Sequence, residues 1–186
     1  LDATNGQVLW LWRPEGGQRF SDAPRKGAGR GLAHWRNGNT QRILGITPGF
    51  FLVSLDAETG MPDPNFGNNG QVDLQVGLRN AEGFDDIDIG ASAPPFVMND
   101  VVVIGPAHKV GMRPRSKSNV KGDVRGYDVH TGKLLWTFHT IPERGEVGIE
   151  TWLDNGVDFT GNAGVWAPMS GDPELGLVYL PVESAT

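Results

Sequence analysis

The chain has 186 residues, a formal net charge of −6 and no cysteine, so it offers neither the basic surface that nucleic acids need nor the thiols of a disulfide or thiolate metal site. Its 27 glycines and 13 prolines, beside 38% hydrophobic residues, indicate a turn-rich globular chain. The apolar runs are too short to cross a membrane.

The first element is a turn that recurs twice more along the chain. Its aspartates, Asp2, Asp56 and Asp128, are 54 and 72 residues apart, and each is followed four residues later by a glycine. The aspartate can accept hydrogen bonds from the turn backbone, and the glycine allows a positive φ. After the first copy, the alternation over 7–12 predicts a strand. Three copies, at intervals long enough for four-stranded sheets, predict the blades of a β-propeller.

Three pairs of apolar stretches predict β-hairpins. They cover 42–47 with 50–55, 95–98 with 101–105, and 165–170 with 177–182, and turn-forming residues separate the members of each pair. No stretch repeats its apolar residues at helical spacing. We therefore expect a nearly all-β chain, without a helix longer than about three turns.

The polar segments between the hairpins give little direct evidence of chemistry. The glycines of 27–31 do not make a dinucleotide fingerprint, because no helical pattern follows them. The acidic stretch 82–88 lacks the spacing of a calcium loop and is interpreted as a solvated loop. The four histidines are scattered, and His108, in a predicted loop, is the most interesting of them. Since Leu1 falls inside a repeat, we expect an internal piece of a longer protein.

Five blocks of sequence, spread over nearly the whole chain, carry a family resemblance. They are 30–31, 92–95, 121–128, 136–140 and 165–181, of which the Trp-Ala-Pro-Met-Ser stretch at 166–170 is the most specific. Together they resemble the pyrroloquinoline quinone (PQQ) dependent dehydrogenases, above all the quinoprotein glucose dehydrogenase branch. The resemblance implies an eight-bladed propeller, of which this chain supplies about three blades. The implied divisions are 1–12 as the end of one blade, 30–75 and 90–140 as blades, and 163–186 as the start of the next.

The resemblance also implies roles for individual residues. Trp166 matches the tryptophan on which the PQQ ring stacks, since an indole offers a large rigid face to a planar quinone; the alternative is a core tryptophan like Trp136. Arg30 matches the catalytic arginine beside the reactive carbonyl, where a guanidinium stabilises the charge that develops on reduction. Ser92 lies near the position of a family hydroxyl that hydrogen-bonds the cofactor. Lys26 stands where sugar-oxidising members have a histidine, and we expect it at the cofactor too.

The implied metal is Ca²⁺, and here the chain departs from the family pattern. The family has an asparagine ligand near Ser184, where this chain has Glu183 and Ser184, so Glu183 is the expected ligand. The implied reaction is oxidation of a sugar such as glucose, or of an alcohol, with a quinone or a cytochrome as electron acceptor. The general-base aspartate is expected in a later blade. The implied location is the periplasm, with inner-membrane attachment as an option, and the remaining blades are the expected intramolecular partners.

A second interpretation is a non-catalytic propeller that binds protein partners, similar to the lipoprotein scaffolds of outer-membrane assembly. These scaffolds share the tryptophan-bearing repeat. They lack the Trp-Ala-Pro-Met-Ser stretch and the Arg30-Gly31 loop, which is why the enzyme is the favoured hypothesis.

Overall fold

The computed structural model describes residues 1–25, 31–82, 88–109 and 117–186. Its strands are, in chain order, β1 (Ala33–Asn37), β2 (Thr40–Ile46), β3 (Phe51–Asp56), β4 (Gln71–Asp73), β5 (Ile89–Ala91), β6 (Phe96–Met98), β7 (Val101–Ile104), β8 (Pro106–His108), β9 (Val124–Asp128), β10 (Leu134–Phe138), β11 (Ser170–Asp172) and β12 (Leu177–Tyr179). The helical segments are single turns, α1 (Gln18–Ser21), a 3₁₀ turn (Ile149–Thr151) and α2 (Gly156–Phe159). None of the described helices is long and apolar enough to span a membrane.

Two four-stranded antiparallel sheets form the body of the chain. The first has the order β1-β2-β3-β4 and the second the order β6-β7-β9-β10, so each sheet follows chain order from one edge to the other. Strands β5 and β8 pair beside the second sheet, and β11 pairs with β12. This meander of adjacent strands is the construction of a propeller blade. The expectation of an all-β partial propeller is confirmed.

The main hydrophobic core lies between the two sheets. Leu44 and Leu52 from the first sheet and Val102 and Ile104 from the second are essentially inaccessible to solvent and belong to one cluster. A smaller cluster joins the second sheet to the segment that contains β11 and β12. Each sheet is therefore buried against its neighbour, as alternating apolar strands require.

A buried arginine ties the second sheet to the first. Arg125 lies on the central strand β9, and its guanidinium donates hydrogen bonds to Leu74 O at 2.6 Å and to Val76 O at 2.9 Å, beyond the end of β4. The side chain is 3% exposed, and burial lowers the pKa of the guanidinium. A planar group with several donors suits two neighbouring carbonyls that a single-donor side chain could not both reach.

The repeated turn has similar hydrogen bonding in its copies. In each, Oδ1 of the aspartate accepts at least one bond from a backbone N–H two or three residues later, and the glycine four positions later has a φ of +69° to +75°. These bonds lower the pKa of Asp56, chiefly through the hydroxyl and N–H of Thr59. The structure adds a fourth copy at Asp172–Gly176, between β11 and β12. The sequence pattern missed it as a repeat because Leu175 stands where two other copies have threonine.

The strand expected over 7–12 does not form, and that prediction is wrong. Val8, Leu9 and Leu11 are more than half exposed, and no described strand pairs with them. Instead Trp10 crosses to the second turn, where its Nε1 donates to Ala57 O at 3.0 Å and its ring covers Gly60. Alternation alone cannot make a strand without a neighbouring edge to pair with.

Trp136 is not a core residue. It lies on β10, the edge of the second sheet, where residues 134–138 are all exposed, and it is itself 38% exposed. Its indole packs across the strand pair onto Gly126, where a Cβ would lie 2.2 Å from the ring. The described part of the chain places no strand beyond β10.

We predict that Gly60→Ala destabilises the full-length protein more than Gly38→Ala does. Both glycines have a left-handed backbone, with φ of +71° and +58°, so each substitution costs about 1–2 kcal/mol of strain. A Cβ on Gly60 would in addition lie 2.4 Å from the Trp10 ring, whereas a Cβ on Gly38 meets nothing within 4 Å. Overpacking adds about 1–3 kcal/mol. Thermal unfolding measures the difference, and equal losses would show that the Trp10 contact contributes nothing.

Three further outcomes differ from the sequence expectations. Strand β1 was not predicted, because Ala-His-Trp-Arg-Asn has little apolar character; it forms by pairing with β2 and burying Trp35, which donates from Nε1 to Asp100 Oδ1 at 3.1 Å. The strand expected over 165–170 begins only at Ser170, because the preceding residues are threaded between other segments as described below. His108, expected in a loop, lies on β8 and is buried.

Candidate functional site

Residues 161–165 form a narrow passage, in which neighbouring segments pack so closely that only glycine fits at several positions. A Cβ on Gly164 would lie 2.3 Å from Pro106 O, and one on Gly105 would lie 2.7 Å from Val165. Val165 N donates to Pro106 O at 2.8 Å, and Glu183 N donates to Gly164 O at 3.0 Å. The passage therefore fixes this segment between β8 on one side and the segment that contains Glu183 on the other.

Trp166 is the first residue beyond this passage. It is 40% exposed, so a large part of the indole remains open to solvent. Its backbone follows directly from the buried and hydrogen-bonded Val165, which restricts where the ring can lie. An anchored, partly open indole is a suitable platform for a planar ligand.

The residues on either side of 26–30 lie against the segment that contains Ser92. A Cβ on Gly31 would lie 3.7 Å from Pro94, and one on Gly90 would lie 3.4 Å from the side chain of Arg25. Ser92 follows β5 directly and is 8% exposed. Because β5 pairs with β8, the segments that contain Ser92 and Trp166 are joined through β8. Arg30 and Lys26 themselves lie outside the described residues, so the convergence of Arg30 with Trp166 stays a prediction.

Glu183 carries the most unusual carboxylate of the described residues. Its Oε1 is buried without a hydrogen-bond partner in the described part of the chain. Burial raises the pKa of Glu183 above its usual value, outweighing the opposite effects of the Arg25 charge, the backbone N–H of His108 and the Asn162 side chain. A buried carboxylate with a free oxygen is costly unless a cation or a proton completes it.

Two neighbours of Glu183 were not singled out as site residues by the sequence. Asn162 is 6% exposed, and its Oδ1 also lacks a hydrogen-bond partner among the described residues. Its φ of +57° and that of Ala163, +55°, are rare for residues other than glycine. His108 is 7% exposed, and burial lowers the pKa of its imidazole. The only sequence signal for Asn162 is its position beside Gly161, four residues before Trp166.

The fit of Ca²⁺ to these residues can be judged from the oxygens. Calcium takes carboxylate and amide oxygens, and Glu183 Oε1 and Asn162 Oδ1 are two buried oxygens without hydrogen bonds in the described ranges. No group of three or more His, Asp or Glu residues suited to a metal occurs in those ranges. Among the described residues, the site thus offers a hard cation one carboxylate and one amide oxygen, and further ligands would come from other groups.

A cleft of about 730 Å³ lies elsewhere, and none of Trp166, Ser92 and Glu183 lines it. Its cationic side chains are engaged: Arg79 by Asp123 and Glu143, Arg144 by Asp158, and Lys121 by the carbonyl oxygens of Val157 and Thr160. These contacts hold the loops around the 3₁₀ turn and α2 against the second sheet. Each cationic side chain that the structure describes in this cleft therefore already has a protein partner.

Comparison with known proteins places the chain in a family. The model of the PQQ glucose/ethanol/alcohol dehydrogenase β-propeller domain matches residues 1–186. The glycerol dehydrogenase large subunit of Gluconobacter thailandicus is 32% identical over 97% of this chain and 24% of its own length. Quinoprotein glucose dehydrogenase A of Acinetobacter calcoaceticus is 35% identical over 73% of this chain and 16% of its own length. The chain thus spans about a quarter or less of these relatives.

Solved structures agree with the family match. The quinohemoprotein alcohol dehydrogenase ADHIIG of Pseudomonas putida HK5 superposes with a TM-score of 0.70 at 27% identity, over 100% of this chain and 25% of that protein. The europium-containing methanol dehydrogenase, with a TM-score of 0.63 at 22% identity over 95% of this chain and 29% of that one, shares the fold. With a model match over its whole length and a superposition of this quality, the chain belongs to the PQQ-dependent glucose/ethanol/alcohol dehydrogenase β-propeller family.

Proposed function

We propose that the full-length protein containing this chain is a PQQ-dependent dehydrogenase that oxidises a CH–OH group of a sugar or an alcohol. The observation that carries the proposal is Trp166, an anchored and 40% exposed indole on a segment held between β8 and Glu183. The named relatives act on glycerol, glucose and alcohols, which supports this substrate class. We favour a sugar or a polyol.

The chain would contribute binding and orientation. Trp166 would support one face of the PQQ ring, and Ser92 would donate or accept a hydrogen bond at its edge. Arg30 and Lys26 are proposed to approach from the loop that ends at Gly31, which lies against Pro94. Bound PQQ would supply the two-electron acceptor for the C–H bond. The base that receives the hydroxyl proton is proposed to come from another blade.

Glu183 would hold the metal of this site. Its buried Oε1 and the raised pKa of the carboxyl show a group whose charge is poorly compensated by the described neighbours. A divalent cation would restore that compensation and keep the carboxylate ionised. We propose Ca²⁺ as this ion.

The electron acceptor and the location complete the proposal. We propose a quinone or a cytochrome as the acceptor and a periplasmic site of action, with attachment to the inner membrane as an option. The blade divisions at 1–12, 30–75, 90–140 and 163–186 belong to the same proposal. In support, the two four-stranded sheets span 33–73 and 96–138.

An activity assay tests the function. The full-length protein, freed of metal and cofactor, is mixed with PQQ and Ca²⁺ and assayed with glucose, glycerol and ethanol and a reducible dye. We expect dye reduction with at least one substrate, and only when PQQ is present. In Glu183→Gln we expect full activity to require a much higher Ca²⁺ concentration than in the unsubstituted protein. Dye reduction that is absent with every substrate, or independent of PQQ, would contradict the proposal.

A further inference from the structure

The contacts of Asn162 single it out in the described chain. Its exposed fraction is only 6%. Its backbone is hydrogen-bonded on both sides, since its N–H donates to Val120 O at 2.8 Å and its carbonyl oxygen accepts from Gly122 N at 2.6 Å. It also forms an isolated bridge to Ala185. The residue is thus fixed between the entry to β9 and the segment that contains Glu183.

The side-chain amide of Asn162 faces acceptors. Its Nδ2 lies 3.5 Å from Ser184 O, and the Asn162 side chain is among the groups that lower the pKa of Glu183 against the effect of burial. At the other end of the amide, Oδ1 has no hydrogen-bond partner among the described residues. A buried amide of this kind leaves one oxygen unsatisfied, which is unusual unless a ligand or water completes it.

The backbone gives a second, independent indication. Asn162 and Ala163 are consecutive residues in the left-handed region, with φ of +57° and +55°. Such a conformation has a cost that persists only where the surroundings impose it, and it concentrates at functional sites. Here it occurs where the backbone is bonded on both sides, with Asn162 bridged to Ala185 and with Glu183 N donating to Gly164 O, so that Asn162 and Glu183 lie on neighbouring paired segments.

We propose that Asn162 is a positioning residue of the cation site. In this role its amide nitrogen orients the Glu183 carboxylate. Its amide oxygen serves as a neutral oxygen donor to the same cation. This inference rests on the proposed function, because Glu183 is taken as the metal ligand. Groups that orient a ligating carboxylate affect metal affinity about 10- to 100-fold.

The test compares Ca²⁺ binding to metal-free, full-length protein by calorimetry. Asn162→Gly removes the amide while glycine accepts the positive φ, so the fold is retained. Asn99→Gly is the matched control, since Asn99 has a φ of +53° in the exposed turn between β6 and β7. We expect Asn162→Gly to raise the Kd for Ca²⁺ about 10- to 100-fold, with a metal-free melting temperature no lower than that of the unsubstituted protein and no change in Asn99→Gly.

Each other outcome has a defined meaning. An unchanged Kd in Asn162→Gly overturns the positioning role and leaves Glu183 as ligand untouched. A lower metal-free melting temperature, whether or not the Kd rises, shows a structural role, and an equal rise in Kd in Asn99→Gly shows a nonspecific effect; both overturn the inference. If the unsubstituted protein itself binds no Ca²⁺, the metal assignment of the proposed function fails first.

Discussion

Trp166→Ala is expected to weaken PQQ binding by about 100-fold, because the substitution removes a stacking contact worth about 1 kcal/mol and the burial of about 100 Å² of apolar ring surface worth about 2 kcal/mol more. The measurement is a PQQ titration of the full-length protein, freed of cofactor and supplied with Ca²⁺. Trp166→Phe keeps a flat ring of smaller area, so a loss of about 10-fold is expected for it.

Trp136→Ala is the matched control for this prediction. Trp136 and Trp166 have nearly the same exposure, 38% and 40%, but Trp136 lies on the edge strand β10 and packs on Gly126. Trp136→Ala should therefore leave PQQ affinity unchanged. If Trp166→Ala bound PQQ as tightly as the control does, the stacking role would be wrong.

Arg125→Met is expected to lower the free energy of unfolding of the full-length protein by about 2 kcal/mol or more, measured by denaturant unfolding. Methionine fills similar space but cannot donate to Leu74 O and Val76 O, and a buried acceptor left without its donor costs about 1–3 kcal/mol. Removal of a buried charge offsets part of this loss, since burial lowers the pKa of the Arg125 guanidinium and thus disfavours its charged form.

The control for Arg125 is another arginine that donates to a backbone carbonyl. Arg36 is exposed on β1, and its Nε donates to Gly38 O at 3.0 Å. Arg36→Met should change stability by no more than about 0.5 kcal/mol, because water replaces the lost donor. Equal effects of the two substitutions would show that the link between the sheets through Arg125 is not important for stability.

The sequence predicted well those parts of the fold that depend on local patterns. The repeated turn needs only an aspartate and a glycine four residues apart, and the hairpin of β6 and β7 needs only two apolar runs around a turn. The strand over 7–12 failed because strand formation needs a partner that sequence alternation does not reveal. Strand β1 was missed for the opposite reason, since its partner β2 imposes an extended conformation on a polar sequence.

The site was less accessible to sequence reasoning. Trp166 and Ser92 came from family resemblance, and the structure adds that β8 joins the segments that contain them. Asn162 and His108 were not assigned, because their importance depends on burial beside Glu183, which is distant from His108 in sequence. Glu183 was predicted as a metal ligand because the chain departs from the family pattern there, with Glu183 and Ser184 near the family's asparagine ligand. Its buried oxygen supports that prediction without testing it.

The most direct test of the account is an experimental structure of the full-length protein with PQQ and Ca²⁺ bound. We expect the ring of PQQ to lie in van der Waals contact with the Trp166 indole, and Ca²⁺ to lie about 2.3–2.6 Å from an oxygen of Glu183. Density for PQQ away from Trp166, or an indole covered by another blade, would contradict the assignment of this segment as the cofactor platform.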